Sequence, residues 1–193
     1  MLLARLVRGL SDAVARIDRL LLQLLIAAVA LFVLANVGAR AVGFTLSWAD
    51  ELAIQAMVLA GFVGASLMFR LRRDPAVLLL QEYAPSPVAR ALRVAVALAA
   101  AVFGVALGWM CWIWFDPPGL IRAGFDIASF EMTTFNFIYT ETTPVMGLPF
   151  TFFFAVLPWF ALTLTVHALR NLLEDLGILP PAAPDATGGG QRA

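Results

Sequence analysis

The residues able to do chemistry are few and far apart. His167 is the one histidine of 193 residues and Cys111 the one cysteine. A bis-histidine haem needs two imidazoles and a zinc site several ligands, so neither a cofactor nor a metal is expected. Cys111 lies inside an apolar run and reads as a packing thiol. His167 stands one turn before Arg170 and reads as an interfacial residue near a helix C-terminus. There is no Walker loop, no dinucleotide fingerprint, and no nucleophile at motif spacing from a base. No catalytic residue can be named, and an enzyme is not expected. What remains is electrostatic: Trp48, Asp50 and Glu51 at one position, and Asn36 and Arg40 one turn apart at another. The two carboxylates suit the positive end of a helix dipole, and an Arg40–Glu51 ion pair would staple two neighbouring helices together. Gln23, Gln55, Ser66, Thr163 and Thr165 suit hydrogen bonds between helices.

The elements that carry these residues follow from composition. Hydrophobic residues make up 62% of the chain and charged residues only 13%. A soluble domain of this length cannot hide that much apolar surface. Four apolar runs reach membrane-spanning length, which predicts an all-α integral membrane protein with four transmembrane helices. The net charge is zero, which gives no reason to expect nucleic acid as a partner.

Residues 1–19 place Leu3, Leu6, Val7, Leu10, Val14 and Ile17 at helical spacing, interrupted by Arg5, Arg8, Asp12, Arg16 and Arg19. They read as a retained N-terminal amphipathic helix lying at the membrane interface. The membrane domain then covers 20–170, with spans at about 20–43, 52–69, 91–115 and 149–169. Ser47 is the expected N-cap of the second span, Arg70, Arg72 and Arg73 its stop, and Pro158 predicts a kink in the fourth. Residues 74–90 form a polar connection, with an interfacial stretch at 76–80. The 116–147 connection mixes Asp126, Glu131 and Glu141 with Phe125, Phe130, Phe135, Phe137 and Tyr139, and so reads as an ordered segment on the bilayer or on a partner. Residues 171–193 are a tail, expected to be disordered from about 180.

With four spans, both termini and the 70–90 loop share one side. Eleven arginines fall there and two, Arg40 and Arg122, on the other, so the positive-inside rule puts both termini in the cytoplasm. Gly61 and Gly64 in the second span, and Gly104 and Gly108 in the third, give small-residue faces for close helix packing, within the chain or against a partner. Trp48, Trp109, Trp112, Trp114 and Trp159 are expected as interfacial anchors toward the outer helix ends.

Three stretches together carry a resemblance. They are Ser47-Trp48-Ala49-Asp50-Glu51-Leu52-Ala53, then Gly61-Phe62-Val63-Gly64-Ala65-Ser66 with the Arg70-Leu71-Arg72-Arg73 stop, then Thr143-Pro144-Val145-Met146-Gly147-Leu148-Pro149 with Pro158 and His167-Ala168-Leu169-Arg170. In order and spacing the chain resembles the small membrane subunit, the DctQ-like or Q subunit, of TRAP (tripartite ATP-independent periplasmic) transporters, over about residues 10–175. The resemblance implies a scaffold in a bacterial inner membrane that braces a large membrane subunit during ion-driven symport. A periplasmic solute-binding protein, a transient partner, would deliver the solute, an organic acid. The small-residue faces would meet the large subunit, and Trp48, Asp50, Glu51, Asn36 and Arg40 are the residues expected to matter for coupling. The rival reading is a stand-alone oligomeric transporter or channel. It needs a polar stripe along a pore, and the sequence offers none beyond Asn36 and Arg40.

Overall fold

A computed structural model describes residues 2–72 and 85–180, with the side chains of 2–5 and 86 left aside. Among the described residues the fold is all-helical, apart from one isolated antiparallel bridge between Thr142 and Pro149. Four helical segments are long and apolar enough to cross a membrane: Leu6–Ala41, Ser47–Arg70, Pro87–Arg122 and Phe150–Asp175.

Helix α1 runs Leu2–Ala41, 40 residues without a break. At 1.5 Å per residue that is about 60 Å, twice the thickness of a hydrocarbon core of about 30 Å. The sequence divides this stretch at residue 19, whereas the backbone passes through 19–20 as one rod. Leu6, Leu10 and Ile17 are exposed, and the buried stripe is Ser11, Val14, Ala15 and Asp18, at i, i+3, i+4 and i+7. Where the surroundings are lipid, the apolar side of a helix can face outward and its polar groups must find partners inside.

Helix α2 spans Ser47–Arg70. Its N-cap is Leu46, with no side-chain cap, so Ser47 is the first helical residue and does not cap the helix as expected. Helix α3 spans Ser86–Phe115, with a proline in its first turn. The fourth crossing is made in two pieces, α6 (Phe150–Phe154) and α7 (Val156–Asp175). The interruption falls at Ala155, beside Phe154, the residue whose carbonyl Pro158 cannot bond and against which its ring would press. The helix is thus interrupted one turn ahead of Pro158.

Between them, the connection is ordered. Helix α4 (Pro117–Arg122) is capped by Asp116, whose carboxylate accepts from Gly119 N at 3.0 Å, and α5 (Ile127–Thr134) by Asp126. Phe130 and Ile138 are buried, and Phe130 and Phe115 pack edge-on around Tyr139. The Tyr139 hydroxyl donates to Phe115 O at 2.6 Å, tying the segment to the end of α3. Burial, with the Asp116 charge nearby, pushes the Tyr139 phenol above its ordinary value.

Helix α7 is the hub. It packs along α3 and also touches α2 and α1, while α1 and α2 form the other long pair. The α3–α7 contact depends on Gly104, where a β-carbon would collide with Thr165 Oγ1 and lie 3.1 Å from Ala161 O; a β-carbon at Gly108 would lie 3.7 Å from Ala161 Cβ. Gly64 faces Leu22 of α1, and Gly61 borders open space. The interfacial stretch at 76–80 and the tail beyond 180 lie outside the described residues.

Candidate functional site

Polar side chains gather at two ends of the bundle: a loop end, holding the 42–46 and 116–149 connections, and a terminal end, where α1 begins and α7 ends.

At the loop end, Asn36 is buried in α1 and works in both directions. Its Nδ2 donates to Asp50 Oδ1 at 2.5 Å, and its Oδ1 accepts from Leu46 N at 2.9 Å. One side chain thus fastens both the turn between α1 and α2 and the first turn of α2. Trp48 is 42% exposed and packs edge-on against Phe32, so only part of its ring is free for the interface.

Glu51 is buried and reaches the other way. Its carboxylate accepts from Val145 N at 2.7 Å and from Met146 N at 3.3 Å. Those amides are presented by a tight turn closed by Thr143 N to Leu148 O (2.8 Å) and Gly147 N to Thr143 O (3.0 Å). Gly147 takes φ +65° there, the left-handed conformation that favours glycine. Two stretches flagged separately in the sequence, Trp48 to Glu51 and Thr143 to Pro149, are thereby one structural unit. The Arg40–Glu51 ion pair is not formed: Arg40 is exposed, and Glu51 spends its oxygens on backbone amides. The staple between α1 and α2 is Asn36–Asp50 instead.

At the terminal end the sequence analysis missed most of what the fold assembles. His167 is fully buried. Its Nδ1 lies 2.9 Å from Ser11 Oγ, and its Nε2 lies 3.8 Å from Asp18 Oδ2. Asp18, also fully buried, accepts from Trp159 Nε1 at 3.0 Å. Trp159 is therefore not an outer anchor: it turns inward to a carboxylate on α1. One turn beyond, Arg170 is 2% exposed, 3.0 Å from Glu174 and 3.4 Å from Asp12, and Asp12 pairs with Arg70 of α2 at 2.5 Å. Deeper in the bundle, Ser66 Oγ donates to Thr163 Oγ1 at 2.8 Å, one of the interhelical bonds expected.

A last group surrounds the end of α7. Arg72 grips both Asp175 oxygens (3.0 and 2.8 Å) and donates to Asn171 O (3.0 Å). Arg93 donates to Asp175 Oδ1 at 3.1 Å, and Arg90 to Asp175 O at 2.8 Å. Cations at the negative end of a helix dipole are favourable, so part of the expected basic stop of α2 serves as a clasp on α7.

The signal for Asp18 was present in the sequence: Ser11, Val14, Ala15 and Asp18 are helically spaced. Its partners lie some 150 residues away, and no spacing rule links them. Among the described residues no group of three or more His, Cys, Asp or Glu is placed to hold a metal ion.

A family model described as tripartite ATP-independent periplasmic transporters, DctQ component, matches residues 29–177. No curated protein and no solved structure matches.

Proposed function

Because the chain belongs to the DctQ family, the small membrane component of the TRAP transporters and not an enzyme family, we propose that it is the scaffold subunit of such a transporter. It braces a large membrane subunit during ion-driven uptake of a small solute, an organic acid delivered by a periplasmic binding protein. It sits in a bacterial inner membrane with both termini cytoplasmic, in keeping with the eleven-to-two arginine bias. One observation carries the scaffold reading. The buried polar side chains, Asn36, Glu51, Ser66, Asp18 and His167, bond or face another element of the same chain. A conduit would aim such groups at a shared passage; a brace uses them to hold its helices together. The outward faces of α1 and α3 suit a bilayer and a membrane partner, with Leu24, Leu31 and Leu34 on one and Val102, Val105 and Trp109 on the other.

The test is to recover the tagged protein from detergent-solubilised native membranes and identify what accompanies it by mass spectrometry. A large polytopic permease in near-equal amount is expected. Recovery of the chain alone, as a homo-oligomer, would overturn the reading.

A further inference from the structure

Helices α2 and α3 both lean on α7 and leave a furrow between them. It is lined by Ala65, Met68 and Phe69 of α2, Val96, Ala99, Ala100 and Phe103 of α3, and Phe160 and Leu164 of α7. Its volume is about 580 Å³ and its walls are almost wholly apolar. Toward the terminal end lies a second, smaller cavity. Phe69 and Val96 line both, and its other walls are Ala97, Arg72, Arg93, Asn171 and Asp175. An apolar furrow between long apolar helices thus adjoins a charged mouth.

Among the described residues the charge at that mouth is unbalanced. Arg72 and Arg93 converge on one carboxylate, Asp175, and Arg90 bonds the same residue's backbone oxygen. Glu174 is 3.0 Å from Arg170 and meets Arg72 only at 3.5 Å. Among the described residues Arg93 bonds through its Nε, to Asp175, and its terminal N–H groups meet no acceptor. Arg72 and Arg93 keep about a third of their side-chain surface open. An apolar furrow at bilayer depth, crowned by surplus guanidinium groups at the interface, matches the two ends of one molecule abundant in its surroundings.

We propose that this furrow is a binding site for an anionic phospholipid, with an acyl chain lying against Ala65, Ala99 and Ala100 and the phosphate held by Arg72 and Arg93. The site rests on the membrane-spanning reading of the chain and does not depend on which partner the chain braces.

The test uses the full chain, delipidated in detergent and titrated with palmitoyl-oleoyl-phosphatidylglycerol or the matching phosphatidylcholine, read by native mass spectrometry. One phosphatidylglycerol per chain is expected to bind in preference, by about fivefold for each arginine that faces the headgroup. Arg93→Gln, which gives up one bond to Asp175, is expected to lower that preference about fivefold. Ala100→Phe, which fills the furrow and leaves the arginines untouched, is expected to abolish the bound lipid. Equal retention of both lipids by the wild-type chain overturns the proposal, and so does anionic binding that survives Ala100→Phe in a folded variant. A protein segment crosslinking into the furrow of the native complex, with no lipid retained, overturns it in favour of a partner helix.

Discussion

The two ends of the bundle solve the same problem with different chemistry. At the loop end side chains mostly meet backbone: Glu51 seats the amides of Val145 and Met146, and Asn36 seats Leu46 while it pairs with Asp50. At the terminal end charged side chains mostly meet one another: Asp12 with Arg70 and Arg170, and Asp18 facing His167. Backbone amides cannot be moved by substitution, so the loop end fixes the path of a connection. Ion pairs can be lost from either partner, so the terminal end ties whole helices to one another and stakes more stability on each side chain.

Removing charge from the terminal end is accordingly the heaviest blow. Arg170→Ala removes the buried cation between Glu174 and Asp12, which keep Arg72 and Arg70, and is expected to cost about 3 kcal/mol, the low end for a broken buried pair, seen as a lower unfolding temperature in detergent. A cost below that of the loop-end variants would erase the contrast between the ends. Next comes Glu51→Ala, which strands two amides and is expected to cost about 1–3 kcal/mol. Its fingerprint is local: faster hydrogen exchange at residues 143–148, with α1 and α7 unaffected. The milder Glu51→Gln is expected to weaken assembly or transport without blocking insertion, and unchanged uptake together with unchanged complex yield would remove that role. Ser66→Ala breaks a neutral bond between the ends and is expected to cost about 1 kcal/mol, since Thr163 keeps a bond to Phe160 O.

The smallest effect concerns Asp126, outside the spans. The Ser129 hydroxyl, together with backbone amides, holds its carboxyl below the ordinary 3.8. A depressed carboxylate contributes stability that is present above its ordinary value and lost as pH falls through the lowered one. Asp126→Asn preserves the cap on α5 but not the charge. It is therefore expected to unfold slightly more easily than wild type at pH 7 and equally at a pH below the lowered value. A difference that persists in acid would assign the effect to cap geometry.

How much was legible depends on distance along the chain. The four crossings were, because length and apolarity are local properties. So was the interruption in the fourth, because Pro158 acts on its own preceding turn. At the loop end the residues were found but their partners were not. Arg40 and Glu51 are near in sequence and opposite in charge, yet Glu51 accepts from amides some 94 residues away. At the terminal end, Asp12 counted only as a break in an apolar pattern, and Asp18 went unnoticed. A lone polar residue in an apolar helix declares that it needs a partner without saying which. The inward face of α1 was not legible, because only packing against the other helices sorts Ser11 and Asp18 inward and leaves Leu6, Leu10 and Ile17 outside.

The clasp around Asp175 also has an order in time. Arg72, Arg90 and Arg93 are synthesised before the Asp175 they converge on, and Arg70 before Arg170 joins it at Asp12. While the first three crossings emerge, those arginines have no Asp175 to hold. On the proposed orientation they keep their end of each helix on the cytoplasmic side during that interval. When the last helix arrives, the same charges close on it, and a chain cut short before residue 156 would leave that lock open, a recognisable mark of an unfinished protein.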